Sequence, residues 1–285
     1  MGLIEGVVIM AQVINTNVPS LQAQSNLNRT NAGLNQALER LSSGKRINGA
    51  KDDAAGIAIA SRFTSQIRGY NQGTRNAADA ISLTQTAEGA YDEISNNLQR
   101  IRELAVQSAN ATNSTTDRAA LNTEVKQLQQ EITRVSKTEF NGVAVIGGSA
   151  TSFQFQVGPD AGGANRIKVT TKNTASITGY KSAISDGSVS AVSEASKMIE
   201  AVDNMLQSVN TERATLGAVQ NRFDSVIRNG ENAVANLSAS RSRIEDADFA
   251  AETANLTKFQ ILQQAGTSVL SQANALPQSV LGLLG

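Results

Sequence analysis

The 285-residue sequence contains no cysteine, no histidine and no tryptophan, and only 3 prolines. Without cysteine there is no disulfide framework and no thiolate chemistry. Without histidine the Ser-His-Asp triad, the Cys-His pair and the usual zinc sites are excluded. The carboxylates are spread along helical faces as a solvated charge pattern and form no catalytic constellation. The chain therefore reads as a non-enzyme with no cofactor. Aromatic residues make up 4%, few for stacking on bases and few for a large globular core. Lys and Arg number 25, as do Asp and Glu, which leaves no basic surplus to draw nucleic acid or anionic lipid.

Charge is also missing locally. Phe259 to Gly285 carries none, and neither does Ala11 to Asn28. In the C-terminal stretch Phe259, Leu262, Gly266, Val269, Ala273 and Leu276 recur alternately three and four positions apart, which is one face of an α-helix at the period of helix pairing. Gln263, Gln264, Thr267, Ser268, Ser271, Gln272 and Asn274 hydrate the other face. A membrane span needs about 20 predominantly apolar residues, and the polar ones here are too many. Two readings remain, a frayed amphipathic tail and a helix that pairs with another uncharged helix. The Ala11–Asn28 stretch is the candidate partner. Pro277 is expected to interrupt the pattern, leaving an apolar tail of Val280, Leu281, Leu283 and Leu284.

Because proline is so sparse, the intervals between Pro19, Pro159 and Pro277 can hold very long helices. A first helix is expected from about Pro19 to Ser43, with Leu27, Leu34 and Leu41 seven apart. Gly44 to Gly56 reads as a charged, bent connector. A second helix, about Ile57 to Ser108, carries Phe63, Tyr70, Ala77, Thr84, Tyr91, Leu98 and Ala105 at seven-residue intervals. A third begins near Asp117 and is expected to end near Phe140-Asn141-Gly142. The middle differs, since 8 of the 22 glycines lie between Gly142 and Gly187. Phe153, Phe155 and Val157 alternate with polar residues, as do Ile167 and Val169, so the Pro159–Gly163 stretch reads as the tip of a β-hairpin.

Helix is expected again from about Val189 to Ile244. Ala195, Val202, Val209, Leu216, Phe223, Gly230, Leu237 and Ile244 keep a seven-residue spacing. At 1.5 Å per residue this rod would be about 80 Å long. Each buried Leu or Ile in its seam would contribute roughly 1.5–3 kcal/mol. Arg213, Gln220 and Arg241 interrupt the second seam, as expected of register-setting positions or of a bundle wider than two helices. The fold class expected is mainly α: a long helical coiled-coil or bundle rod formed by the N- and C-terminal segments, with a small β-hairpin region in the middle. Periodicity alone leaves a free-standing bundle open beside an assembling one.

The first residues do not read as a signal peptide, because Glu5 sits within the apolar patch and there is no basic start. The native start is expected at Met10, which makes residues 1–10 a non-native or upstream extension. Residues 11–55 and 246–285 are expected to form a terminal helical domain. Residues 56–245 are expected to form a rod domain, with its β-hairpin near 140–180.

Several stretches resemble bacterial flagellin. Met10-Ala11-Gln12-Val13-Ile14-Asn15-Thr16-Asn17 is similar to the family's start. ERLSSGKRINGAKDDAAGIAIA from Glu39 to Ala60 and QRIRELAVQS from Gln99 to Ser108 resemble its N-terminal signatures. SRIEDADFAAE from Ser242 to Glu252 and ILQQAGTSVLSQANALPQSVLGLLG from Ile261 to Gly285 resemble its C-terminal half. The chain departs from the pattern in the nine residues before Met10 and in ending on Gly285 where a basic residue is common. The middle is too short for outer domains, so the resemblance is to a minimal flagellin.

The resemblance implies a structural subunit that polymerises as a helical homopolymer into the extracellular filament of the bacterial flagellum, for motility, after export by the flagellar type III apparatus. It also implies an export chaperone and cap or junction proteins as partners, with no nucleic acid and no membrane span. Within the same scaffold the alternatives are a hook–filament junction protein and a cell-surface flagellin homologue that binds polysaccharide. Leu27, Leu34, Leu41, Phe259, Leu262, Val269 and Leu276 are the expected assembly residues. The resemblance further implies host recognition. Arg100, Leu104 and Glu124 would contact Toll-like receptor 5, with Leu104 as an apolar anchor. Arg40, Asn48, Lys51, Asp52 and Asp53 would form the epitope of the plant flagellin receptor.

Overall fold

The structure, a computed structural model, describes residues 16–147 and 152–284, with side chains as far as Ala275. Its elements are α1 (Val18–Ser43), α2 (Ala54–Ala109), α3 (Thr115–Val135), β1 (Glu139–Phe140), β2 (Val143–Ala144), β3 (Ser152–Gln156), β4 (Arg166–Thr170), α4 (Val192–Glu245) and α5 (Phe249–Leu284). They form two compact units. One takes the chain up to Phe63 together with the chain from Ala239, and the other is Thr64–Ser238.

Local chemistry sets the helix ends. The Asn17 side chain accepts from the Ser20 N–H, with proline in the first turn of α1, so one orphan donor is satisfied and φ is pre-set. The helix stops at Gly44, which turns left-handed at φ 71 and returns its N–H to the Arg40 carbonyl, a glycine end cap. Asp53 caps α2 by accepting from Gly56 N–H at 2.8 Å. Ser114 and Asp117 form a reciprocal capping box at the start of α3, two positions ahead of where the sequence places that start.

In the Thr64–Ser238 unit the seven-residue columns are the core. Ala77, Thr84, Tyr91, Leu98 and Ala105 of α2 are buried, as are Ala195, Val202, Val209, Leu216 and Phe223 of α4. Two of the side chains that interrupt the second seam reach α2 instead. Arg213 pairs with Asp92 at 2.9 Å, and Gln220 donates to Glu88 at 2.8 Å. Tyr91 hands its hydroxyl to the Lys172 carbonyl at 2.8 Å, and its burial pushes the phenol pKa well up. Helix α3 contributes Val125 and Ile132 to the same core. Its buried Gln129 donates to the carbonyls of Ala183 and Gly187, tying down a π-helical turn at Lys181–Ser185 that the sequence does not announce.

The expected hairpin is β3 paired antiparallel with β4, from Ser152 opposite Thr170 to Gln156 opposite Arg166. It seats on α2 where that helix has no side chain. A Cβ on Gly69 would collide with Pro159, and one on Gly73 with the Val157 carbonyl. Asn76 completes the seat by donating to the Gln156 carbonyl at 2.7 Å.

Two expectations are corrected. Helix α3 does not reach Phe140-Asn141-Gly142. It ends at Val135, and Glu139–Ala144 forms a second hairpin, β1 with β2. Asn141 at φ 51 and Gly142 at φ 75 supply the two left-handed residues of a tight hairpin turn. Pro277 does not end the last helix either, since α5 continues to Leu284. A proline removes the bond from its own nitrogen to the carbonyl four residues earlier, here Ala273. That carbonyl accepts from the Asn17 side chain instead, at 2.8 Å. The extension at residues 1–10 and most of the flagellin-like start, Met10 to Asn15, lie outside the described residues.

Candidate functional site

Helices α1 and α5 pair antiparallel. Asn17 donates to the Ala273 carbonyl, Ser20 to Asn274, Gln263 to Asn31, and Arg40 to Glu252. From Ser20–Asn274 through Asn31–Gln263 to Arg40–Glu252 the numbers rise on α1 as they fall on α5. Small residues let the backbones approach: Ala23, Ala37 and Ala273 are buried. Gly33 has no room for a Cβ because the Phe259 ring lies over it, and Gly266 meets Leu27.

The neutral seam divides. Phe259, Gly266 and Ala273, seven apart, face α1. Leu262 and Val269, midway between them, are 43% and 54% exposed. The sequence reading placed all of these on one pairing face. A single partner helix covers only one column, and the second is left to water. Leu27, Leu34 and Leu41 are half-buried, and the Leu276 side chain lies outside those described. Val18, Leu21 and Ile261 are also more than half exposed. The uncharged stretches of α1 and α5 thus present large apolar side chains at the surface, beyond what single scattered residues would require.

The connector between α1 and α2 is held to the α4–α5 junction. Arg46 N–H donates to the Glu245 carbonyl at 2.7 Å, and Ala247 N–H to the Gly44 carbonyl at 3.0 Å. Lys45 pairs with Glu245, and Ile47 is buried beneath. Of the residues assigned to a plant receptor, Arg40 pairs with Glu252 at 2.9 Å, and Asp53 caps α2. Asp52 accepts from the backbone N–H groups of Asn48 and Gly49 at 3.0 and 3.1 Å, which hold its carboxyl below the ordinary value. Asn48 donates to the Lys45 carbonyl, and Lys51 is exposed. The Arg40–Glu252 tie joins two segments that the sequence reading noted separately and never paired.

Arg100 and Glu124 meet as expected, with Nε and Nη2 of Arg100 at 3.0 and 2.8 Å from Glu124 Oε1. Glu103 takes the remaining guanidinium nitrogen at 3.0 Å, and these carboxylates hold the guanidinium pKa above its usual value. Leu104 does not stand beside them as an exposed anchor. It is 1% exposed and belongs to the hydrophobic core. Arg118 fixes the turn that brings α3 back, donating to the carbonyls of Ser108 and Asn110 at 2.9 Å each. Sequence reasoning missed this residue, whose signal was an arginine one turn into a helix that follows a polar break.

No helix among the described residues is long and apolar enough to cross a membrane.

Comparison with known proteins gives two family matches. Residues 14–151 match the bacterial flagellin N-terminal helical region, and residues 199–284 match the bacterial flagellin C-terminal helical region. A flagellin of Xenorhabdus nematophila is 45% identical over 312 aligned positions, covering 96% of this chain and 100% of that protein. A flagellin of Halalkalibacterium halodurans is 44% identical, covering 95% and 99%. Among solved structures, a putative flagellar hook-associated protein from Vibrio parahaemolyticus superposes with a TM-score of 0.59 over 68% of this chain and 100% of that one. At 14% identity that likeness speaks for the fold alone.

Proposed function

The chain belongs to the bacterial flagellin family, structural proteins that polymerise into the flagellar filament, an extracellular appendage, and from that premise we propose that α1 and α5 are the segments by which one copy holds the next. The chain is a structural subunit of that filament, and its assembly residues are those of the terminal pair. The carrying observation is the uncovered apolar surface on the uncharged stretches of these helices, with Leu262, Val269 and Ile261 exposed on α5 and Val18 and Leu21 on α1. Burying each large aliphatic side chain against a neighbour contributes roughly 1.5–3 kcal/mol. Gln and Ser on the same helices hydrate without a fixed charge, which suits the lining of a narrow channel that other chains traverse.

Leu27, Leu34, Leu41 and Phe259 are assembly residues in a second sense, since they shape the pair that presents Leu262 and Val269. The family resemblance supports export through the flagellar type III apparatus with an export chaperone, and contact with cap and junction proteins. It supports Arg100, Leu104 and Glu124 as a site for Toll-like receptor 5. It supports Arg40, Asn48, Lys51, Asp52 and Asp53 as a plant-receptor epitope.

The test is removal of Phe259–Gly285. The truncated chain is expected to stay soluble and helical, with the Thr64–Ser238 unit melting as in the full chain, and to give no sedimentable filament after seeding. Filaments of normal length from the truncated chain would overturn the reading.

A further inference from the structure

The sequence contains three Asn-Gly dipeptides, Asn48-Gly49, Asn141-Gly142 and Asn229-Gly230, and the fold treats them differently. Asn-Gly is the dipeptide most open to attack by a backbone nitrogen on the preceding side-chain amide, because glycine adds no Cβ to block the approach. The reaction requires the glycine N–H to be free to lose its proton. It also requires the Asn ψ to swing the nitrogen towards its own side-chain carbon.

Two of the three are blocked. The Gly49 N–H donates to Asp52 Oδ2 at 3.1 Å, and the Asn48 amide nitrogen donates to the Lys45 carbonyl at 3.3 Å. A carboxylate facing the Gly49 N–H disfavours its deprotonation. Asn229-Gly230 lies well inside α4, with Gly230 buried. Its N–H is engaged in the helical ladder and ψ of Asn229 is fixed at the helical value.

Asn141-Gly142 has neither protection. Both residues are exposed at the tip of β1–β2, and among the described residues no hydrogen bond holds the Asn141 side chain or the Gly142 N–H. The hairpin behind them has two residue pairs, Glu139 with Ala144 and Phe140 with Val143. A ladder that short frays readily, which lets ψ of Asn141 move.

We infer that Asn141 is a site of spontaneous deamidation in this protein, and that the fold protects Asn48 and Asn229. Hydroxide removes the Gly142 amide proton, and the nitrogen attacks Asn141 Cγ to close a five-membered succinimide. The Cγ–N bond to the side-chain amide breaks, and ammonia leaves with a proton taken from water. One water then opens the ring at either carbonyl, giving aspartate or isoaspartate. The net change is one water consumed and one ammonia released, with no oxidation. Aspartate is compatible with the left-handed turn, as Asp-Gly is favoured there. Isoaspartate adds a methylene to the main chain and breaks the Phe140–Val143 register.

The test is to age the purified full-length monomer at mildly alkaline pH and follow each dipeptide by peptide mapping, counting isoaspartate with an isoaspartyl methyltransferase. Asn141 is expected to convert several-fold faster than Asn48 and Asn229. In denaturant all three are expected to convert at similar rates. Asp52→Ala, which releases the Gly49 N–H, is expected to accelerate conversion at Asn48 alone. Conversion of Asn48 or Asn229 as fast as Asn141 in the folded protein would overturn the inference, and so would a preference for Asn141 that persists in denaturant.

Discussion

The side-chain amide of Asn17 donates to the main-chain carbonyl of Ala273 across 2.8 Å, and that carbonyl is the one Pro277 leaves without a helical donor. The same amide uses its oxygen to accept from Ser20 N–H at the start of α1. One residue therefore caps the first helix and repairs the last. This is why a proline in the final turns does not end α5.

This double duty separates by substitution. Asn17→Ser keeps a capping oxygen but leaves the Ala273 carbonyl unpaired, at an expected cost of about 1–3 kcal/mol to the α1–α5 pair. Pro277→Ala restores the helical donor, so Asn17→Ser in that background is expected to cost much less. A double-mutant cycle read by thermal melting or amide exchange on α5 measures the coupling. Additive effects would show that the two residues act independently.

Phe223 and Phe155 meet edge to face, with ring centroids 5.7 Å apart and planes at 86°. Phe223 is fully buried, whereas Phe155 is half-buried on the hairpin. Phe223→Ala is expected to cost about 3–5 kcal/mol in urea melts, and Phe155→Ala less. An unchanged midpoint for Phe223→Ala would contradict the burial of this column.

Tyr91, Leu98, Val202, Val209 and Phe223 were legible as core because a side chain repeating every seventh position must share one helical face. The β3–β4 hairpin was legible because Phe153 and Phe155 alternate with polar residues before a turn. Glu139–Phe140 is too short to show alternation, so β1–β2 was read as the tail of a helix. Leu104 lies one position before the Ala105 column, so the seven-residue spacing does not by itself announce its burial. The Asn17–Ala273 bond joins positions 256 apart, and no local pattern encodes such a distance. Leu262 and Val269 were read correctly as helical and apolar, but only the number of partner helices decides which apolar column stays wet.

The start of α3 carries an acid-sensitive cap. The Asp117 carboxyl is held below its ordinary 3.8, first by the Ser114 hydroxyl and then by the Ser114 N–H. A carboxyl depressed on folding stabilises fully above its unfolded pKa and loses that contribution as pH falls through its folded pKa. The first turn of α3 is therefore expected to stay formed down to pH 3.8 and to fray below it. NMR titration of the Asp117 and Arg118 amides should follow this, and Asp117→Asn should flatten it. A transition in these amides near neutral pH would be inconsistent with the cap.

Arg100 and Leu104 separate a surface effect from a packing effect at the proposed receptor site. Arg100 is half exposed and pairs with Glu124, an ion pair that contributes little to stability in water. Arg100→Ala is expected to leave the melting temperature nearly unchanged. Leu104 is buried, so Leu104→Ala opens a cavity and is expected to cost about 2–5 kcal/mol, while Leu104→Met, close in volume, costs less than about 1.5 kcal/mol. A Toll-like receptor 5 reporter assay on monomer then distinguishes the two roles. Loss of potency in Arg100→Ala at unchanged melting marks a direct contact. For Leu104, potency is expected to track stability, with Met retaining what Ala loses, because a fully buried side chain offers no surface to a receptor. Full potency in Arg100→Ala with folding intact would remove this face from the receptor site.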